Sequence, residues 1–177
     1  MSKSPTPPAW VTHSRIAIRT AGLPDAAAIA AIRAATAPSA HVDKADVDAA
    51  TLVIDRCKDL LFVADADGEA VGYVALLREG HAAVAAHDPL MLWQLHVRPR
   101  FHGAGVAALL MRRAIEQAES GAHDTVWLGV SEHNARAIAF YRKHGFVAHG
   151  LHDVGSGEHA HHDLIMLLAL RTIVDTQ

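Results

Sequence analysis

The chain has 177 residues, 51% of them apolar and 20% charged, with a formal net charge of −3. That is ordinary globular composition, long enough to bury a sizeable core in one domain. The slightly acidic balance, without a basic stripe, argues against a nucleic-acid partner, and no apolar run approaches the length of a membrane span.

Met1 to about His13 carries three prolines, several hydroxyl residues and no apolar signal core. A disordered extension over 1–13 is expected, with a single domain over 14–177 and no secretion. The one cysteine, Cys57, excludes an internal disulfide and fits a cytoplasmic location. It has no glycine turn or adjacent base to mark it as a nucleophile, so a structural thiol is expected.

Arg15 to Arg19 alternates, placing Ile16 and Ile18 on one face of a first strand. Pro24 and Asp25 open an Ala-rich helix running to about Thr36, and Pro38 ends it. A second helix is expected over Ala45 to Lys58. Leu60 to Asp65 and Ala70 to Leu77 read as two strands joined at Asp67-Gly68, whose residues tolerate positive φ. Gly80 to Asp88 reads as a loop. Leu90 to Val97 is nearly all apolar, which predicts a central strand buried on both faces.

Gly103 to Ser120 reads as a helix. Val106, Leu109, Leu110, Ala114 and Ala118 form its apolar stripe, Arg112, Arg113, Glu116 and Glu119 its wet face, and Gly121 its C-terminal cap. Thr125 to Val130 is a strand. Asn134 caps a short helix that stops at Gly145. Phe146 to about Val154 and Leu164 to Leu170 are the last strands. The order is β-α-α-β-β-β-α-β-α-β-β: one α/β (α+β) domain, its mixed, mostly antiparallel sheet covered by helices.

Two stretches carry chemistry. The first is Gln94-Leu95-His96-Val97-Arg98-Pro99-Arg100-Phe101-His102-Gly103-Ala104-Gly105-Val106-Ala107-Ala108-Leu109-Leu110. A strand, a glycine loop and a helix in that order aim backbone N–H groups at one point, at the positive end of a helix dipole, and such a cluster holds phosphate. A dinucleotide-binding fingerprint needs a third glycine, which is absent after Gly105. A P-loop needs a Gly-Lys-Ser/Thr end, also absent. The second stretch runs from Gly129 to Phe146. A strand ends, Asn134 caps a helix, and Tyr141 lies one turn after Ala137 on the same face, just before the glycine stop.

Together these stretches resemble the GNAT acetyltransferase superfamily, over roughly Ile16 to Leu170 and most sharply from Leu92 to Phe146. The family's phosphate loop reads Gln/Arg-x-x-Gly-x-Gly/Ala. Arg100 to Gly105 matches the letters, whereas His102 to Ala107 better matches the distance from the strand. The second register is preferred, with His102 in place of Gln or Arg.

The resemblance implies an enzyme that moves the acetyl group of acetyl-CoA to an amine by direct transfer in a ternary complex, with no metal. Backbone amides around His102, Gly103, Ala104, Gly105, Val106 and Ala107 would hold the pyrophosphate. The main chain of Leu95, His96 and Val97 would pair with the pantetheine arm, and an N–H near Val97 would face the thioester oxygen. Asn134 matches a residue touching the cofactor arm, and Tyr141 matches the general acid. A phenol of pKa about 10 can protonate a departing thiolate, whose thiol has a pKa of about 8.5, in a dry site. A core tyrosine with a satisfied hydroxyl is the bland alternative.

Many relatives carry a glutamate near the start of the central strand as base. Here Met91 stands about there, leaving His96, Asp88, His87, Gln94 or water, with His96 ranked first. Gly145-Phe146-Val147, His149-Gly150 and Asp163-Leu164-Ile165-Met166 resemble the ending of bacterial polyamine and other small-amine acetyltransferases. Asp43, Asp46 and Asp48 would suit a cationic acceptor, against a solvated helix face as the alternative. The crowd from Glu158 to Asp163, including His159, His161 and His162, reads as a hairpin tip or dimer contact rather than a metal site.

The expected acceptor is a primary amine on a small molecule. A protein terminus or lysine ranks second, since the 5% aromatic content suggests no peptide groove. A non-catalytic acetyl-CoA-binding sensor is the rival from another class. A homodimer is permitted through the free edge of the last hairpin.

Overall fold

The computed structural model describes residues 15–36, 44–154 and 161–170. The expected extension 1–13, the stop at Pro38, Asp43 and the tip residues Glu158 and His159 lie outside the described residues.

The strands are β1 (Ile16–Thr20), β2 (Leu61–Ala66), β3 (Glu69–Leu77), β4 (Pro89–Val97), β5 (Thr125–Ser131), β6 (Val147–Val154) and β7 (His161–Ala169). The helices are α1 (Ala26–Ala35), α2 (Lys44–Cys57), α3 (Val106–Ser120) and α4 (Ala135–Lys143). Their chain order is the one expected. The sheet runs β1-β2-β3-β4-β5-β7-β6. Pairing is antiparallel for β1–β2, β2–β3, β5–β7 and β6–β7, and parallel for β4–β5. The parallel pair follows from α3, since parallel neighbours need a crossover long enough to hold a helix.

The chain divides into two compact units, Met1–Leu76 with Gln94–Ala114, and Leu77–Trp93 with Ile115–Gln177. In the first unit the β2–β3 hairpin turns at Asp67 and Gly68, with φ of 54° and 90°. These are the two left-handed positions that a two-residue turn between right-twisted strands demands. The Asp65 carboxylate accepts the Gly68 N–H at 2.7 Å. At the start of α1, the Asp25 carboxylate takes both Arg19 guanidinium nitrogens, at 2.9 and 2.6 Å, and the Gly22 N–H at 2.9 Å. The Arg19 hydrogen bond holds the Asp25 carboxyl below the usual carboxylate range, against the opposing effect of burial.

α1 and α2 pack against each other. α2 buries Ala50, Val53, Ile54 and Cys57, the spacing of one helix face. Burial pushes the Cys57 thiol up to about 11, which suits a structural role. α3 buries Val106, Leu110, Met111, Ala114 and Ala118. Met111 takes the place expected for Leu109, which is only half-buried. Arg113, expected on the wet face, lays its guanidinium 4.4 Å from the Phe62 ring centre.

In the second unit, Val84, Trp127 and Ile165 form an apolar cluster joined by Ala86, Met91 and Leu167. The Trp127 indole N–H donates to the Glu79 carbonyl at 2.7 Å. β7 starts at His161, earlier than the expected Leu164, because the ladder with β6 continues through His162 and His161. Among the described residues, no helix is long and apolar enough to cross a membrane.

Three local expectations are corrected. β4 is central but not buried on both faces: Met91, Trp93, Gln94, Leu95 and His96 are half-buried. Its register with β5 covers only Pro89 to Met91. Gly103 to Gly105 lies outside α3, since Gly103 and Gly105 take φ of 84° and 83°, incompatible with a right-handed helix. At the other end of α3 the left-handed residue is Ala122, with φ 58°, not Gly121. The Ala122 and His123 amides donate to the Glu119 and Ala118 carbonyls, a Schellman cap. Gly121 is needed for space, because a Cβ there would sit 2.8 Å from the His123 ring.

Gly72, within β3, sets how closely β4 approaches. A Cβ there would lie 2.9 Å from the His96 carbonyl oxygen and 3.1 Å from Val97. Gly72→Ala is therefore expected to destabilise the protein by about 1–3 kcal/mol, the usual cost of overpacking. The check is a urea midpoint lowered at constant slope. An unshifted midpoint would mean that β4 does not press on β3 here.

Candidate active site

In the first unit, the end of β4 is clamped before the chain turns into α3. The Arg98 amide donates to the Val71 carbonyl at 2.8 Å, and the Arg98 side chain to the Ala70 carbonyl at 3.0 Å. Pro99–Phe101 makes one 3-10 turn, pinned by buried Phe101. Arg100 pairs with Glu69 of β3, so its guanidinium is engaged on the hairpin rather than along the glycine loop. The His102 Nε2–H donates to the Val97 carbonyl at 2.9 Å, tying the loop back to the strand it leaves.

The amides of the loop divide into two sets. Those of His102 and Ala104 turn inward, to Pro99 and Phe101 carbonyls at 3.0 and 3.2 Å. Those of Gly103, Gly105, Val106 and Ala107 have no acceptor among the described residues. The last three lie at the entry to α3, where the peptide dipoles sum to positive potential. A Cβ placed on Gly105 would meet nothing within 4 Å, so the chain leaves this flank of the turn open. Successive outward N–H groups beside left-handed glycines form an anion-binding concavity. Of the residues expected to hold a diphosphate, His102 and Ala104 thus shape the turn, while Gly103, Gly105, Val106 and Ala107 offer the donors.

On the other face of the same strand end stands a polar group that the sequence showed only in part. His96 stacks on Tyr73 of β3, with ring centres 5.3 Å apart and planes 27° from parallel. The Tyr73 hydroxyl donates to Gln94 Oε1 at 2.7 Å. His96 Nδ1 lies 3.0 Å from Thr36 Oγ1, just past α1. Burial, and then the positive charge of Arg33, lower the His96 pKa from the ordinary histidine value. His96 is therefore neutral near pH 7 and able to accept a proton. Burial drives the Tyr73 phenol well above its usual range, so it stays a donor. Tyr73, Thr36 and Arg33 were not singled out from the sequence, since nothing local links them to residue 96. Gly72 carried a signal, an isolated glycine within a strand pattern.

The other base candidates lie elsewhere. The Asp88 carboxylate lies 2.9 Å from His123 Nδ1, and His87, whose backbone amide donates to Asp124 at 2.7 Å, is exposed. Both precede β4, at the end of that strand away from His96. Met91 sits in the apolar cluster with Trp127, which suits a thioether and would penalise a carboxylate. The expected acidic wall is also occupied: Asp46 lies 3.7 Å from Arg33, and Asp48 pairs with Lys44 at 2.6 Å.

In the second unit, Asn134 caps α4, its Oδ1 accepting the Ala137 N–H at 3.0 Å. The far end of α4 explains the placement of Tyr141. Gly145, with φ 90°, closes a Schellman cap in which the Gly145 and Phe146 amides donate to the Arg142 and Tyr141 carbonyls. That cap brings Phe146 under Tyr141, edge to face, with ring centres 5.8 Å apart. Phe140 braces the other side at 5.6 Å. Burial raises the Tyr141 pKa, so the phenol is protonated at neutral pH. Its hydroxyl has no hydrogen-bond partner among the described residues, which leaves its proton available. In the last hairpin, His162 Nδ1 lies 2.7 Å from Asp153. Among the described residues, no group of three or more His, Cys, Asp or Glu is placed to hold a metal ion.

Comparison with known proteins agrees with this geometry. Residues 27–146, more than half of the chain, match the model of the acetyltransferase (GNAT) family. An uncharacterised N-acetyltransferase of Mycobacterium tuberculosis is 36% identical over 104 residues, 59% of this chain. The match spans 63% of that relative's own length. The streptothricin acetyltransferase of Streptomyces lavendulae is 33% identical over 101 residues, 54% of this chain and 51% of the relative. An acetyltransferase structure from Salmonella typhimurium, solved with its cofactor acetyl-CoA, superposes with a TM-score of 0.71 over 89% of this chain and 95% of that one. At 20% identity, that likeness is one of fold. The strand–turn–helix with its outward amides, the capped tyrosine helix and the family match converge: the chain belongs to the acetyltransferase (GNAT) family.

Proposed function

We propose that this protein is an acetyl-CoA-dependent N-acetyltransferase, one domain over 14–177, that acts in the cytoplasm on the primary amine of a small molecule by direct transfer in a ternary complex. The observation that carries the reading is the turn at Gly103 and Gly105, beside whose left-handed glycines the amides of Gly103, Gly105, Val106 and Ala107 have no acceptor among the described residues. The open flank at Gly105 fits a diphosphate, and the donors need no metal to neutralise it. The small-amine acceptor draws support from the streptothricin acetyltransferase among the relatives and from the low aromatic content. The β6 edge of the sheet permits a homodimer.

Acetyl-CoA, when bound, supplies an activated thioester carbonyl. The amides of Gly103, Gly105, Val106 and Ala107 hold its diphosphate, with His102 and Ala104 keeping the turn in shape. The main chain of Leu95, His96 and Val97 aligns the arm, and the Val97 N–H stabilises negative charge on the carbonyl oxygen. Asn134 contacts the arm from the head of α4. His96 takes the proton that the acceptor ammonium must lose. Tyr141, held protonated by burial, delivers one to the leaving sulfur.

A second reading, a coenzyme A-binding module without turnover, rests on Met91, which stands in an apolar cluster where an acid would be sought. The two readings separate in one assay, in which the protein, acetyl-CoA and a panel of amines and peptides are followed for free thiol. Release with a small amine supports the enzyme. Binding without release for every acceptor supports the module, and release only with peptides moves the acceptor to protein. In the responsive reaction, Tyr141→Phe is expected to lower kcat about 100-fold or more while coenzyme A affinity changes less than about 3-fold. Equal losses in both would remove Tyr141 from the acid role.

The pH profile tests His96. Protonation removes a base, and the His96 pKa is lowered. The acidic limb of kcat should therefore fall below the ordinary histidine midpoint of about 6.5 and disappear in His96→Gln. A limb unchanged by that substitution would assign the proton to another acceptor.

A further inference from the structure

The base role proposed for His96 leaves open which of its two nitrogens carries the proton. Thr36 bears on that choice. Its hydroxyl donates to the Arg33 carbonyl at 2.8 Å, inside the last turn of α1. The same oxygen lies 3.0 Å from His96 Nδ1. A hydroxyl has one proton and two lone pairs. With the proton directed at Arg33, only lone pairs face the imidazole, so the hydrogen bond requires Nδ1–H.

The rest of the surroundings leave that choice undisturbed. Tyr73 stacks on the ring face, and its hydroxyl proton is given to Gln94. Among the described residues, no hydrogen bond joins Gln94 to His96. Arg33 of α1 is the charge that acts on the ring, and it lies 3.7 Å from Asp46 of α2. Arg33 opposes a second positive charge on the ring.

We propose, resting on the acetyltransferase reading above, that Thr36 is a positioning residue: it accepts the Nδ1 proton of His96 and so presents the Nε2 lone pair as the proton acceptor. In the step this serves, an N–H bond of the acceptor ammonium breaks and an Nε2–H bond forms. The nitrogen keeps its electron pair for attack, and the imidazolium stays bonded to Thr36 through Nδ1–H. Thr36 touches no reacting atom and acts through the ring it orients.

Nitrogen-15 shifts of the His96 ring, measured near neutral pH on the full chain, decide the matter. In the wild type and in Thr36→Ser, Nε2 is expected to show the shift of an unprotonated ring nitrogen and Nδ1 that of a protonated one. Thr36→Val keeps the shape without the acceptor, and the ring should move toward the Nε2–H form. Thr36→Val is also expected to lower kcat about 10-fold with KM changed less than about 2-fold, and Thr36→Ser to restore at least half of kcat. A wild-type ring protonated on Nε2, or a tautomer unmoved in Thr36→Val, overturns the inference and leaves acetyl transfer standing. The expected tautomer together with full turnover in His96→Gln overturns the base role, and the positioning role with it.

Discussion

The His102 ring donating to the Val97 carbonyl closes the turn between β4 and α3, and the arrangement of the candidate site follows from that closure. A strand entering a helix must redirect its backbone within a few residues. Here the redirection takes one 3-10 turn and two glycines with φ near 84°. Left-handed backbone is open to glycine at little cost and strained for other residues. The consequence is electrostatic as well as steric. His102 and Ala104 amides close the turn, and the neighbouring amides face outward with the helix dipole behind them.

The close fit of β3 against β4 supports the same point from behind. Gly72 leaves room for the His96 carbonyl and for Val97 and Leu110 on one face. Tyr73, the next residue, projects to the opposite face and stacks on His96. One pair of adjacent residues therefore holds both the main chain of β4 and the His96 side chain in place. α4 is built by comparable means. Its Asn134 cap fixes where the helix begins, and its glycine cap fixes Phe146 under Tyr141.

Much of this was readable from the residues in order, because it depends on neighbours in sequence. Asp67-Gly68 announced a hairpin, Asn134 a helix start, and the apolar spacing of α3 most of its buried face. The misreadings have physical causes. Gly121 looked like a left-handed cap, but Ala122 takes that conformation, because Gly121 is reserved for contact with the His123 ring. Leu90 to Val97 looked doubly buried because its composition is apolar. Its register with β5 stops at Met91, and the strand stays half-open beyond. Arg100 matched a phosphate-loop letter in the register not preferred, and its charge is matched by Glu69, a partner 31 residues earlier in the chain. The contact of Thr36 with His96 spans 60 residues. No local pattern encodes such pairs, since they exist only after the strands have been laid side by side.

The claim on which the account stands is that the amides at the head of α3 grip a diphosphate. Amide chemical shifts measured while coenzyme A is titrated into the full chain test it most directly, with pantetheine, which lacks the diphosphate, as the comparison. The largest coenzyme A shifts are expected at Gly103, Gly105, Val106 and Ala107, with little change at those four amides with pantetheine. Saturable binding of coenzyme A that leaves those four amides unmoved would contradict it.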